Sequence, residues 1–197
     1  MEANGEALVK GTGVLSAVRW LRDVHGETVY GKIFDKVSAE TRAAMKTPMA
    51  TEWYPARVID EIWQTQNETT HPNDPAGFEQ EMISQGQFIA EDNLSSVMKV
   101  MLIFVSSPEH LFGRLEKFWD AYFSGIGIEL DGSQLDHHRG VCEITNLGTV
   151  HHIAPIACGW LSYGFRKVGA KEVDVLEQAY RAGRTAADPL RFQISWS

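Results

Sequence analysis

The chain has 197 residues, 44% of them hydrophobic, and carries a formal charge of −8 with a pI near 5.3. This size and composition support one substantial core. The 18 Lys and Arg are scattered rather than clustered, which excludes a nucleic-acid partner, since that needs a concentrated positive surface.

The N-terminus has no basic stretch leading into an apolar one, so a cytoplasmic location is the expectation. The longest strongly apolar run, Val97 to Val105, contains Lys99 and falls far short of the ~20 residues of a membrane span. Cys142 and Cys158 are too few for a secreted disulfide framework. Free thiols are the default reading, with a single bridge as the alternative.

Ala7 to Thr12 reads as a short leading strand or arm. Val14, Leu15, Val18, Leu21 and Val24 fall at helical spacing, and Gly26 stands where a helix C-cap belongs. Val29, Tyr30, Ile33, Phe34 and Val37 continue a helical face. Ser38 opens a further helix to Lys46. Trp53-Tyr54-Pro55 is a break, and a helix over 55–66 follows, burying Val58, Ile59, Ile62 and Trp63. Residues 67–75 form the clearest polar loop. The pattern from Ala76 to Phe104 predicts a long helix, broken near Gly86 or Asp92-Asn93. Ser107-Pro108-Glu109 starts another, with Leu111, Leu115, Phe118, Trp119 and Tyr122 on its face.

From residue 125 the period changes. Segments 125–134 and 137–146 read as one pair of strands, 151–169 as an amphipathic helix, and 171–181 with 190–196 as a second pair. Phe192, Ile194 and Trp196 alternate against Arg191, Gln193 and Ser195. Leu176 and Glu177 blur the alternation of their segment, as a bulge or a strand covered on both faces would. The expected fold class is α+β: an N-terminal helical layer packed on a C-terminal antiparallel sheet of about four strands in the order ββαββ. One domain over 1–197 is expected, its helical part 13–124 and its sheet part 125–197.

Chemistry is harder to find. On a strand from 137 to 146, His138 and Cys142 would share a face, and His151 or His152 with Cys158 could complete a zinc site. These spacings match no compact zinc signature, and ordinary histidines and small buried thiols account for them, so no metal is assigned. Gly11-Thr12-Gly13 lacks the rest of a dinucleotide fingerprint, and no phosphate-binding loop occurs. No catalytic residue and no cofactor emerge. The six tryptophans point either to a core built on large rings or to an aromatic-lined cavity between helices and sheet.

Several motifs together carry a resemblance: Val9-Lys10-Gly11 before a helix, the Trp53-Tyr54-Pro55 break, the Ser107-Pro108 helix start, Tyr122 through Gly127, and the closing Phe192-Gln193-Ile194-Ser195-Trp196. With the ββαββ finish they resemble the ligand-binding fold of heme nitric-oxide sensors, vinyl-reductase-like sensor domains and Bet-type subunits of Golgi transport particles. The chain is more closely similar to a family of proteins of this length expanded in myxobacteria. The resemblance implies a sensor or interaction module. In heme-type members it implies a helix-borne histidine and a Tyr-x-Ser-x-Arg motif. Here His110 lies at a helix start, and the nearest string is Tyr180-Arg181-Ala182-Gly183-Arg184, with Ala182 in place of the serine.

The functional expectation is a non-enzymatic sensory or regulatory domain binding a small apolar ligand between helices and sheet. Trp119, Tyr122, Trp160 and Tyr163 are its candidate ligand-binding residues. The alternative is a protein–protein adaptor or homodimer using surplus apolar surface on 76–104, namely Phe78, Met82, Gln85, Ile89, Val97, Met98, Met101 and Leu102.

Overall fold

Residues 6–95, 103–148, 150–177 and 189–197 are described by the structure, a computed structural model. Strand β1 (Leu8–Lys10) passes directly into helix α1 (Gly11–Lys36). Gly11 is required at this junction, because a Cβ there would collide with the Met49 carbonyl. Val14, Val18 and Leu21 are buried as their spacing predicts, while Val24 is 53% exposed and lies beyond the buried stripe. The backbone leaves helical geometry at Gly26 (φ 78°, ψ 169°) and then resumes, so the expected helix end is a kink within a longer element.

Helix α2 (Ala39–Lys46) starts where Ser38 Oγ accepts a hydrogen bond from the Thr41 amide. Strand β2 (Trp53–Pro55) leads into α3 (Ala56–Thr70). The predicted loop 67–75 shortens to 71–74, since α3 continues through Asn67–Thr70. Thr70 Oγ1 donates to the Gln66 carbonyl (2.9 Å), and the His71 amide donates to Asn67 (2.9 Å), so local bonds extend a weak helix-forming sequence. Helix α4 (Pro75–Ser95) runs unbroken through Gly86 and Asp92-Asn93, against the expected break.

The expected single helix after Ser107 is two short ones, α5 (Pro108–Phe112) and α6 (Leu115–Asp120), separated at Gly113-Arg114. Strand β3 (Phe123–Ser124) follows and pairs with β1, which also pairs with β2. The helical part therefore contains a three-stranded antiparallel sheet, β2-β1-β3, where the sequence reading placed little but helix.

The second sheet contains β4 (Gly127–Asp131), β5 (Arg139–Thr145), β6 (Val173–Glu177) and β7 (Leu190–Trp196), with α7 (Ile153–Lys167) between β5 and β6. Its order is β4-β5-β7-β6 and every pair is antiparallel. Leu130, Cys142 and Phe192 stand side by side across three strands, as do Ile128, Ile144 and Leu190, so one face is apolar. Strand β6 pairs continuously with β7 and contains no bulge; Leu176 simply faces solvent, 53% exposed. Residues 178–188, including the Tyr180–Arg184 string, lie outside the described residues.

Helix α7 lies on the apolar face, its Phe165 ring 5.0 Å from Trp196 of β7. It also crosses α4 at backbone distance. A Cβ on Gly86 would strike the Ile156 carbonyl, and one on Gly159 would strike the Ile83 carbonyl. Gly86 is thus a contact point rather than a helix breaker. Helix α7 contains Pro155, Gly159 and Gly164 and has little intrinsic propensity. Burial of Ile153, Ile156, Leu161 and Phe165, at about 1.5–3 kcal/mol per side chain, is what holds it.

The buried side chains of both halves join one core. Phe78, Met82, Gln85 and Ile89, the proposed surplus surface on α4, are buried in that core and leave no free apolar face there. Val97, Met98, Met101 and Leu102 lie outside the described residues.

Candidate functional site

A partly open cavity of about 80 Å³ lies between the helices and the apolar face of the second sheet. Helix α7 supplies one wall through Ile153, Ile156, Ala157, Trp160 and Leu161, a single stripe at helical spacing. Ile59 and Trp63, one turn apart on α3, form the opposite wall with Ile89 of α4. Leu115, Phe118 and Trp119 of α6 close one end together with Tyr122 and Phe123. Ile128 of β4 and the alternate residues Cys142 and Ile144 of β5 form the floor.

Among the candidate ligand-binding residues, Trp119, Tyr122 and Trp160 are brought together on this lining. Tyr163 is half-buried on α7 and is not among the lining residues. Trp160 is the centre of an aromatic cluster, with Phe118 at 5.9 Å and Tyr122 at 6.3 Å between ring centroids, the latter edge-on at 82°. Trp63, Phe118, Cys142 and Ile144 also line the cavity; from sequence Trp63 and Phe118 fall on apolar helix faces and Cys142 is weighed as a buried thiol or zinc ligand. Trp63 sits four residues after Ile59 on one helical face, which was the available signal.

The polar atoms of this wall differ in how they are satisfied. Trp119 Nε1 donates to the Ile126 carbonyl at 2.9 Å. Tyr122 Oη and the indole N–H groups of Trp63 and Trp160 are buried without a hydrogen-bond partner. The Trp160 indole is a hydrogen-bonding neighbour of the Tyr122 hydroxyl and favours its ionised form slightly, although the pair falls short of full hydrogen-bond geometry. Burial dominates and pushes the Tyr122 pKa upward, keeping the phenol protonated. An unmet buried donor costs about 1–3 kcal/mol. Burial also raises the Cys142 thiol to about 12, so it stays uncharged.

One polar contact fastens the cavity walls to each other. Asp60 of α3, 6% exposed, accepts through Oδ1 from the amides of His151 (2.8 Å) and His152 (3.0 Å), and its Oδ1 also lies 3.0 Å from His152 Nδ1. Helix α7 has no side-chain cap of its own. A carboxylate from another helix takes that place and complements the positive end of the helix dipole. A larger open cleft beside it, about 460 Å³, is lined by Ser38, Glu40, Arg57, Asp60, Glu61, Gln64 and His151. Its charges are already engaged: Arg57 pairs with Glu40 and Glu6, and Glu61 accepts from Ser38.

The geometry separates the residues considered for zinc. His138 precedes β5 in a left-handed turn (φ 54°) and bonds to Glu109 at 3.0 Å, so the shared strand face with Cys142 does not exist. His152 is held by Asp60, and the Cys158 thiol is raised to about 12, chiefly by burial. Both cysteines are free. Among the described residues no three His, Cys, Asp or Glu side chains gather as metal ligands.

Heme does not fit this cavity either. None of the seven histidines of the chain lines it, and His110 instead accepts a hydrogen bond from Arg114 Nε at 3.0 Å. No cationic side chain is present among the described lining residues to meet propionates. The volume is well below the about 300–1,000 Å³ of pockets for drug-sized ligands.

No protein-family model and no curated sequence matches the chain. Solved structures do. The Fe(II) unliganded H-NOX protein from K. algicida aligns at TM-score 0.72 and 11% identity, covering 95% of this chain and 96% of its own. The H-NOX protein from S. oneidensis in its Fe(II)NO state aligns at 0.71 and 15%, covering 95% and 99%. An oxygen-binding H-NOX domain related to soluble guanylate cyclases aligns at 0.64 and 11%, covering 95% of each chain. At such identities the likeness establishes the architecture alone: this chain has the fold of the heme-nitric-oxide-binding, or H-NOX, domains over nearly its full length.

Proposed function

We propose that the chain is a sensory or regulatory domain, without enzymatic activity of its own, that holds a small and mostly apolar molecule in the cavity between helices and sheet. The apolar cavity walled by Trp63, Tyr122, Trp160 and Cys142 carries this reading. The fold neighbours add support, since the proteins described as oxygen-binding or Fe(II)NO-ligated share this architecture. In this reading the H-NOX fold is used without heme and the ligand contacts the wall directly. Residues 1–197 act as one unit, because the wall draws on both the helical part and the sheet part.

Occupancy would signal by favouring one packing of α7 over another, which requires unequal affinity for the two arrangements. Helix α7 suits that role because it touches the ligand space, the Asp60 tether and strand β7 at once. The test is xenon NMR and thermal-shift measurement with small apolar compounds on the purified protein, beside the variant Ala157→Leu, which fills the space. Saturable binding in the natural chain and its loss in Ala157→Leu are expected. No binding in either would remove the proposal. A Soret band in the purified protein would replace it with a heme sensor.

A further inference from the structure

The partly exposed residues of the cavity lining gather in one place. Among the described lining residues only Trp119, Phe123, Ile128 and Trp160 reach solvent in part, and all the others are buried. A side chain that meets both cavity and solvent lies between the two, and these four are neighbours. The Trp119 and Phe123 rings stand 4.5 Å apart. Trp119 Nε1 donates to the carbonyl of Ile126, two residues before Ile128. Trp160 leans on Phe118 (5.9 Å) and Tyr122 (6.3 Å), each one residue before a rim ring. Phe118 and Tyr122 thus form an inner layer of rings and Trp119 and Phe123 an outer one, with α7 facing both.

We infer that small apolar molecules enter and leave the cavity between α7 and the segment 119–128, through an opening framed by Trp119, Phe123, Ile128 and Trp160, and that Trp119 sets the rate of passage. The inference rests on the ligand-binding reading above and gives that cavity its entrance. Trp119 is singled out because one hydrogen bond ties its ring to the backbone leading into β4, whereas Phe123 and Ile128 carry no polar side-chain atom. Swinging the Trp119 ring aside breaks that bond, so the bond is a barrier to passage. The rim also selects what passes. The Trp119 indole hydrogen is committed to Ile126 and the Trp160 indole nitrogen is buried, so three rings and an isoleucine offer nothing to replace a hydration shell. A charged molecule is therefore turned away.

Xenon exchange NMR on the purified protein reads entry and exit rates apart from affinity. Trp119→Phe keeps an aromatic ring but cannot donate to Ile126. It should raise the association rate constant by about 2- to 12-fold, the weight of one neutral hydrogen bond. Ile128→Trp narrows the same opening from the β4 side and should lower that constant, so the result does not hang on one variant. Ile59→Val, on the buried wall of α3, should change the dissociation rate alone, the pattern of a residue that only touches the bound molecule. Saturable binding in which Trp119→Phe and Ile128→Trp also change dissociation alone, or change neither rate, would overturn the inference and leave the cavity reading standing. No saturable binding in the natural chain would overturn both.

Discussion

Asp60 and Tyr122 are buried polar side chains that both pack against α7 or its start, and the fold treats them in opposite ways. Asp60 Oδ1 receives two backbone amides at the helix start and lies within hydrogen-bond distance of a ring nitrogen, whereas the Tyr122 hydroxyl has no hydrogen-bond partner. A buried polar group is tolerated when the chain supplies its partners and costs free energy when it does not. The Asp60 contact at the start of α7 is therefore frame, and the surroundings of Tyr122 beside Trp160 are an interior left incomplete by the protein itself.

The largest test of that contrast is Asp60→Ala. It leaves two partly buried amides and a histidine ring without an acceptor and should destabilise the protein by about 3 kcal/mol, read from the urea midpoint. Gly159→Ala probes the other fixed contact of α7. Its methyl would meet the Ile83 carbonyl, and a loss of about 2 kcal/mol is expected in the same measurement. Tyr122→Phe should move stability the other way, by up to about 1 kcal/mol upward without ligand, since it removes an unmet hydroxyl. A destabilising Tyr122→Phe would erase the contrast, because it would mean that the hydroxyl is satisfied after all.

The smallest effect concerns acid. Glu109 accepts from Trp196 Nε1 at 2.9 Å, with further hydrogen bonds from its own amide, Ser107 and His138, and these hold its carboxyl down at about 2 against an ordinary 4.5. A folded-state value below the unfolded one means that the contribution is complete above about pH 4.5 and fades as pH falls toward 2. The group is partly exposed, so the effect is modest. Glu109→Gln should flatten the acid limb of a plot of thermal midpoint against pH. An unaltered acid limb would show that this carboxylate contributes nothing there.

The C-terminal architecture was legible because its strands have one wet and one dry face: Phe192, Ile194 and Trp196 announce the buried side by position alone. Helix α7 was legible for the same reason at its own period. Strands β2 and β3 were not, being three and two residues long and fixed by pairing with β1 from 45 and 114 residues away. Gly86 misled because a glycine in a helix reads as weakness until its neighbour is known. Only the α4–α7 crossing shows that absence of a side chain is what the position requires. Trp119, Tyr122 and Trp160 could be proposed as wall residues from the faces of their segments. Trp63 and Cys142 could not be separated from ordinary core, since a cavity is a property of how elements meet rather than of any one of them.

Strand β1 is the middle member of the small sheet, with β2 on one edge and β3 on the other. Its partners are made at very different times, since Tyr54 follows Val9 by 45 residues and Phe123 by 114. During synthesis the ribbon must therefore hold one edge open until the ribosome has passed Ser124, a long-range closure of the kind that slows folding. Val9 of the same strand also touches the cavity, so that wall takes its final form only when this late pairing is made.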